Sequence, residues 1–459
     1  MDFAAVTAGM SAFLNAMPSY VFVPAIMIVM GLVVKMKPSE AISAGIMLGV
    51  AFTGMSMLIS QMTGLMGPIG EAMLNRLGLN LPIVDGGWTT MAAISWTWPY
   101  GVLMFPLMII INIIMLTMNK TETFNADLWN VWGKIFTAVG VVGITGSVPL
   151  AFVICSVQIV LEIVIADTFK DEIYELSGIP GVTTTHRMVF AAGWMYPIDK
   201  LLRKVPALNK QTDAAALRER FGIFAENHVL GFILGCLFGL LAGYDFGTVL
   251  GTGVQCAMCL TLFPVISKYF MEALSPISEA VSEYMNKRFE GRELVVGLDW
   301  PFLGGANEIW LCTLIGIPIF TIFAFAMGGA GVNQILPFAG IVNVSLAVPA
   351  YLVTRGNIPR MVILFTIGVP ISLLVGTNFA PFMTDLANSA GLDLGLQAGQ
   401  MISNSGMDAP MATYGLSEFL DCMNGNFVPL IALIVWLSGF VYTIRDMKKG
   451  GNSAPAEEE

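Results

Sequence analysis

Charge is what this sequence has least of. Only 12% of its 459 residues are Asp, Glu, Lys or Arg, about half the 25% typical of a soluble domain. It has two histidines and six cysteines, and neither type is grouped at metal-ligand spacing. Cys256 and Cys259 stand in an apolar run with no second pair or nearby histidine, so they read as packing. No phosphate-binding G-x-x-x-x-G-K-[ST] loop, no G-x-G-x-x-G followed by an acidic partner and no H-E-x-x-H occurs. Nothing therefore signals nucleotide-driven pumping or chemistry on a cofactor, and no catalytic residue, metal or cofactor is expected. The formal net charge of -10 says little about partners in a chain of this kind, where the placement of Lys and Arg matters more than their sum. No nucleic-acid partner is expected. The first apolar run lacks a basic segment before it, so it reads as a retained helix and not a cleaved signal peptide.

What the chain has instead is apolar length. It is 56% hydrophobic, with a mean hydropathy of +0.76. Segments 18–34, 41–60, 94–118, 136–149, 150–166, 229–244, 249–266, 309–327, 335–353, 361–377 and 427–442 approach the roughly 20 residues needed to cross about 30 Å of hydrocarbon. The expectation is an all-α polytopic membrane protein with about eleven transmembrane helices lying in a lipid bilayer. Lys35 and Lys37 follow the first segment; Lys200, Arg203, Lys204, Lys210, Arg218 and Arg220 precede the sixth; Lys287, Arg288 and Arg292 follow the seventh. Arg355, Arg360, Arg445, Lys448 and Lys449 mark further basic ends, while no Lys or Arg lies between Arg360 and Arg445. The positive-inside rule then places the N-terminus outside and the C-terminus in the cytoplasm. The loop from Lys200 to Arg220 reads as a solvated cytoplasmic loop, with partner docking as the alternative.

The chain also echoes itself. "LISQMTGLMGPIGEAMLNRLG" (58–78) resembles "VISKYFMEALSPISEAVSEYMNKRFEG" (265–291), and "LPIVDGGW", ending at Trp88, resembles "LVVGLDW", ending at Trp300. Each copy is followed by three apolar segments, a polar stretch and one more apolar segment. Because the charge pattern gives the copies opposite directions, the reading is an inverted-topology repeat with a binding site between its halves. The divisions are 1–40 for an N-terminal helix, 41–245 and 246–445 for the repeats, and 446–459 for a disordered tail.

Broken, polar, glycine-rich stretches at membrane depth are tolerated only where they face protein or a wet cavity. Two pairs qualify. The first is "VDGGWTTM" (84–91) and "GLDWPFLGGANEIW" (297–310). Its carboxylates and indoles suit a polyol or sugar, through hydroxyl hydrogen bonds and packing on C–H faces. Asp85 and Asp299 read equally well as helix caps, and the tryptophans as interface markers. Glu308, a carboxylate near a helix start in an apolar run, points to the site. The second pair is "GIPGVTTTHRMVFAAGWMYP" (178–197) and "GLQAGQMISNSGMDAPMATY" (395–414), two re-entrant hairpins, near 178–200 and 395–424. His186, which can donate to and accept from a hydroxyl, is the candidate in the first, and Asp408 with Ser403, Asn404 and Ser405 in the second. His228 reads as structural.

"LPIVDGGW", "DLWNVWGKIFT", "GVTTTHRM", "RFGIFAENHVLGFILGCLFGLLAGYD", "ELVVGLDW", "NQILPF" and "TRGNIPR" resemble, in order and spacing, the galactitol-type membrane subunit, enzyme IIC, of the bacterial phosphoenolpyruvate-dependent sugar phosphotransferase system. That subunit groups with the ascorbate-type enzyme IIC. The resemblance implies eleven spanning helices, inverted repeats, two re-entrant hairpins, a homodimer and an elevator-like movement of a core against a scaffold. It further implies a polyol or sugar substrate and a separate IIB subunit, fed by IIA, that phosphorylates the substrate at the cytoplasmic face of the inner membrane.

The resemblance also implies a substrate-binding role for His186 and for the stretch from Asp85 to Trp88. The remaining candidates are Arg187, Asn307, Glu308, Asp299, Asn343, Asn404 and Asp408. Two departures stand out. Members of the family often carry His after the "WNVW"-like run and Asp after the "LPFG"-like run. Here Gly133 and Lys134 take the first place, and Ala339 and Gly340 the second. Glu308, Asn307 or Asn343 would replace the missing Asp, so the substrate need not be galactitol. The alternatives are an ion-coupled transporter of the same fold and a non-transporting receptor.

Overall fold

The structure, a computed structural model, describes residues 19–78, 81–127, 129–209, 223, 226–288, 294–337, 340, 342–389, 391, 396 and 399–450. Lys210, Arg218, Arg220 and Arg292, the Phe338–Ala339 departure and the tail beyond residue 450 lie outside them.

The described chain is mostly helical. Helices α1 (Ser19–Val33) and α2 (Pro38–Leu77) lie beside α8 (Asn227–Ala242) and α9 (Phe246–Arg288), forming one layer. At 40 and 43 residues, α2 and α9 run to about 60 Å at 1.5 Å per residue, twice the hydrocarbon thickness. The described parts of the echoed stretches, 58–77 and 265–288, are therefore the far halves of α2 and α9. Gly231, Gly235 and Gly239 share one face of α8, and a Cβ on Gly235 would meet Thr252 O at 2.6 Å and Gly253 Cα at 2.8 Å. Small residues four apart let two helices touch backbone to backbone without the help of a hydrophobic effect between them.

The second layer holds α3 (Gly87–Trp96), α4 (Met104–Thr117), α5 (Trp132–Thr145), α6 (Val148–Ser177), α7 (Ala192–Leu202), α10 (Asn307–Gly329), α11 (Val344–Thr354), α12 (Ile358–Ser389), α13 (Pro410–Glu418) and α14 (Val428–Met447). Among the described residues, four helices are long and apolar enough to span alone: α6, α10, α12 and α14. Their ends follow from sequence. Ser147 caps α6 by accepting from Leu150 N at 3.4 Å, and Gly178, at φ 70°, closes it in the left-handed region, where glycine has no steric penalty. Two segments read as single spans are broken. The stretch 94–118 stops at Trp96, passes Pro99 and resumes as α4; in 335–353 the helix begins only at Val344, behind the Asn343 cap.

The polar breaks are short strands, a departure from the all-helical expectation. β4 (Val295–Leu298) lies between β2 (Thr123–Asn125) and β3 (Val182–Thr184), all parallel. β1 (Ile83–Asp85) pairs with β5 (Met401–Ser403) on one side and bridges to Ile335 on the other. Backbone in an apolar core must satisfy its own N–H and C=O groups, and where the helix opens strand pairing does so: Ala126 N donates to Gly297 O at 2.8 Å and Ile83 N to Gln334 O at 3.0 Å. Residues 182–196 and 412–418 are buried throughout.

Candidate substrate site

His186 follows β3 and opens the short 3-10 turn Arg187–Ala191. Its Nδ1 accepts from Met188 N at 3.2 Å, so a neutral ring carries its proton on Nε2. Nε2 faces Asp299 Oδ1 at 3.8 Å and Asp408 Oδ2 at 4.0 Å, too far for direct hydrogen bonds. A hydroxyl between them can accept from Nε2 and donate to a carboxylate, and two carboxylates around one imidazole can serve two neighbouring hydroxyls.

Each carboxylate is held by a neighbouring donor. Asp299 ends the break strand and accepts from Trp300 N at 2.8 Å, capping the turn Trp300–Gly305. Asp408 accepts from Ser345 Oγ at 2.5 Å, and its carbonyl accepts from Thr413 Oγ1 at 2.8 Å. Ala409, next to it, sits in the left-handed region at φ 40°, ψ 61°. That conformation is strained for a residue with a Cβ, and such strain gathers at functional sites.

Arg187 is buried between these elements. It donates to Gly133 O at 2.9 Å, approaches Asp408 Oδ2 at 3.4 Å, and lies over Trp132 at 5.0 Å and Phe136 at 5.2 Å. It joins α5 to the second hairpin by charge and by cation–π contact.

The other expected residues divide. Asp85 accepts from Gly87 N, Gly340 N, Ser405 N and Ser405 Oγ at 3.1, 2.9, 3.2 and 2.6 Å. It ties β1 to the turns at Gly340 and Ser405, a structural duty. Asn404 accepts from Gly406 N at 2.9 Å within the same turn, and half-buried Trp88 sits at the start of α3. Asn343 caps α11 by accepting from Leu346 N at 3.1 Å, and its buried Nδ2 has no partner among the described residues. Asn307 and Glu308 open α10, half-buried, with Glu308 against Tyr351 and Gly356 at the other end of α11 from Ser345. His186, Arg187, Asp299 and Asp408 are thus brought together; Asp85 and Asn404 join them through residues 405–408, and Glu308 stands apart. His228 is exposed.

Several residues escaped the sequence reading. Asn130 donates to both oxygens of Asp127, at 2.8 and 2.9 Å, and its side chain lies beside Asp299. Asn125 accepts from Thr185 Oγ1 at 2.9 Å, and its buried Nδ2 is unpartnered. Lys134 meets Glu162 at 2.5 Å with both side chains buried, 2% and 0% exposed. One signal existed: Glu162 is an acid inside the apolar run 150–166, the argument applied above to Glu308.

A buried polar cluster between broken helices offers donors and acceptors suited to hydroxyl groups. The model of the EIIC-GAT family, described as "PTS system sugar-specific permease component", matches residues 12–397. The chain belongs to this family. It is a multi-pass membrane permease of the sugar phosphotransferase system. The permease is 29% identical over 435 residues to the "PTS system galactitol-specific EIIC component" of Escherichia coli K12, with 93% of each chain covered. The protein of the same description from Escherichia coli O157:H7 aligns equally well. A "Putative permease IIC component" of strain K12 is 29% identical over 384 residues, covering 83% of this chain and 87% of the other.

Proposed function

We propose that the permease binds galactitol or a closely related polyol at the His186–Asp299–Asp408 cluster and hands it to a phosphorylated IIB subunit, supplied by IIA, on the cytoplasmic side. The observation that carries this is the imidazole Nε2 set between two carboxylates, in a wall completed by Asn130, Asp127 and the free amide donors of Asn125 and Asn343. Arg187 holds Asp408 in place. Asp85, Trp88 and Asn404 brace the second sheet behind it, and Glu308 with Asn307 lines the far end of α11.

The remaining features of the reading are an inverted repeat of 41–245 and 246–445, two re-entrant hairpins, an elevator movement and a homodimer, with the N-terminus outside and the C-terminus inside. The matching order of the two strand sets supports the repeat: in each, a break strand is flanked by a hairpin strand and by the segment that follows the next helices. The division into an α1, α2, α8, α9 layer and a site-bearing layer supports a core moving on a scaffold. Gln61 and Gln255, exposed and bonded to each other at 3.1 Å on α2 and α9, support a second copy on that face, because polar side chains at membrane depth favour protein neighbours. The ion-coupled alternative is not favoured, given the family.

The test is uptake of labelled galactitol by proteoliposomes holding the permease, with IIA, IIB, phosphoenolpyruvate and the soluble enzymes that carry its phosphoryl group to IIA inside. The expected product is luminal galactitol phosphate, formed only with phosphorylated IIB. Accumulation of free galactitol against its gradient without IIB refutes the proposal.

A further inference from the structure

The Lys134–Glu162 pair has no place in the site as described so far, and stability does not account for it. Taking both charges out of water costs about as much as their attraction returns, so apolar residues of similar size usually serve as well. The contacts around the pair give it another task. Lys134 Nζ meets Glu162 Oε2 on α6 at 2.5 Å and reaches Asn130 O at 3.4 Å. Gln158 Nε2 donates to Glu162 Oε1 at 2.9 Å, holding the carboxylate in place. Asn130 clamps both oxygens of Asp127, and its side chain lies beside Asp299. Four and five residues beyond Glu162, Ala166 O accepts from Thr183 Oγ1 at 2.9 Å, and Asp167 Oδ1 from Thr123 Oγ1 at 2.7 Å. One face of α6 therefore holds β3, β2 and, through Lys134, the turn Trp129–Val131.

We infer that Lys134 and Glu162 are positioning residues for substrate recognition: the ion pair on α6 fixes the Asn130 turn, and with it the Asp127–Asn130 wall beside Asp299 and His186. The inference rests on the site assigned above. A charge at position 134 must be met from α6, and the lysine must be on α5, because only there can it reach Asn130 O.

The experiment compares galactitol binding by calorimetry with thermal unfolding of purified full-length permease in nanodiscs. Two variants are used: the neutral K134M/E162Q and the reversed K134E/E162K. If wild type itself fails to bind galactitol, the proposed function fails, and the inference falls with it. With wild type binding, the expected result is that at least one variant unfolds near the wild-type temperature, and each variant that does binds galactitol tenfold or more weakly. The reversed variant keeps the ion pair but takes the ammonium away from Asn130 O, so a structural role alone predicts restored affinity there. Near wild-type affinity in either folded variant overturns the inference. Loss of fold in both makes the pair a stability element and overturns it as well.

Discussion

Replacing Asp408 by Asn removes one charge and almost no volume. Asn keeps an acceptor for Ser345 Oγ, so the 2.5 Å bond survives in kind. What disappears is the anion 3.4 Å from Arg187 Nε, in a pair whose side chains are only 5% and 9% exposed. Two unit charges at that distance attract by about 5 kcal/mol at an effective dielectric near 20. Arg187 keeps Gly133 O and its two aromatic faces, which lowers the loss towards the bottom of the range of about 3–5 kcal/mol for orphaning a buried charge. Asp408→Asn should therefore cost about 3 kcal/mol, roughly 150-fold in the folding equilibrium. Arg187→Met, which refills the slot between the rings, should cost a similar amount. The double variant should fall short of the sum by about 2 kcal/mol, because the two residues share one interaction. Equilibrium unfolding in mixed micelles measures all three. Asp408→Asn within about 0.5 kcal/mol of wild type, or additive losses in the double variant, would refute the account of Arg187 as a buried clamp.

His186→Ala should weaken galactitol binding at least tenfold while Glu308→Gln changes it less than threefold, since Glu308 faces Tyr351 and Gly356; equilibrium dialysis separates the two, and equal losses would return Glu308 to the site. Gly340→Ala should cost about 3 kcal/mol or prevent folding, because its Cβ would be driven into the backbone of Gly406 and neither side can give way; monodisperse yield on gel filtration reports it. Asp199→Asn, which weakens a buried carboxylate receiving Arg203 Nε and Arg360 Nη1 at 2.6 Å each, should destabilise by about 4 kcal/mol, seen as a lowered unfolding temperature with galactitol affinity retained.

The family and the membrane character were legible because both are written in long patterns: apolar runs, basic ends and motifs in register. The breaks were legible as breaks, since Gly and Pro at membrane depth need a reason. Their strand pairing was not. Three or four residues in extended conformation carry too little periodicity to read, and in every pair the partner strand lies more than a hundred residues away. Asp85 and Asp299 looked equivalent in sequence, yet one is consumed by Ser405 and Gly340 while the other faces His186. Only the packing of the hairpins distinguishes them. Glu308 was favoured because it stood alone in a greasy run, and the same rule applied to Glu162 would have found the buried pair on α5 and α6.

Neither half of the core can close its own strand set. β4, from the later half of the chain, is flanked by β2 and β3 of the earlier half; β1, from the earlier half, is flanked by β5 and Ile335 of the later one. The earlier half alone would leave β1 without partners, and the later half alone β4, until the two met. The two would then complete each other. Such an exchange makes each half depend on the other for its backbone hydrogen bonds. It also makes a concrete demand on the present protein: fragments 1–245 and 246–459 should be unstable when produced singly and recover transport when produced together.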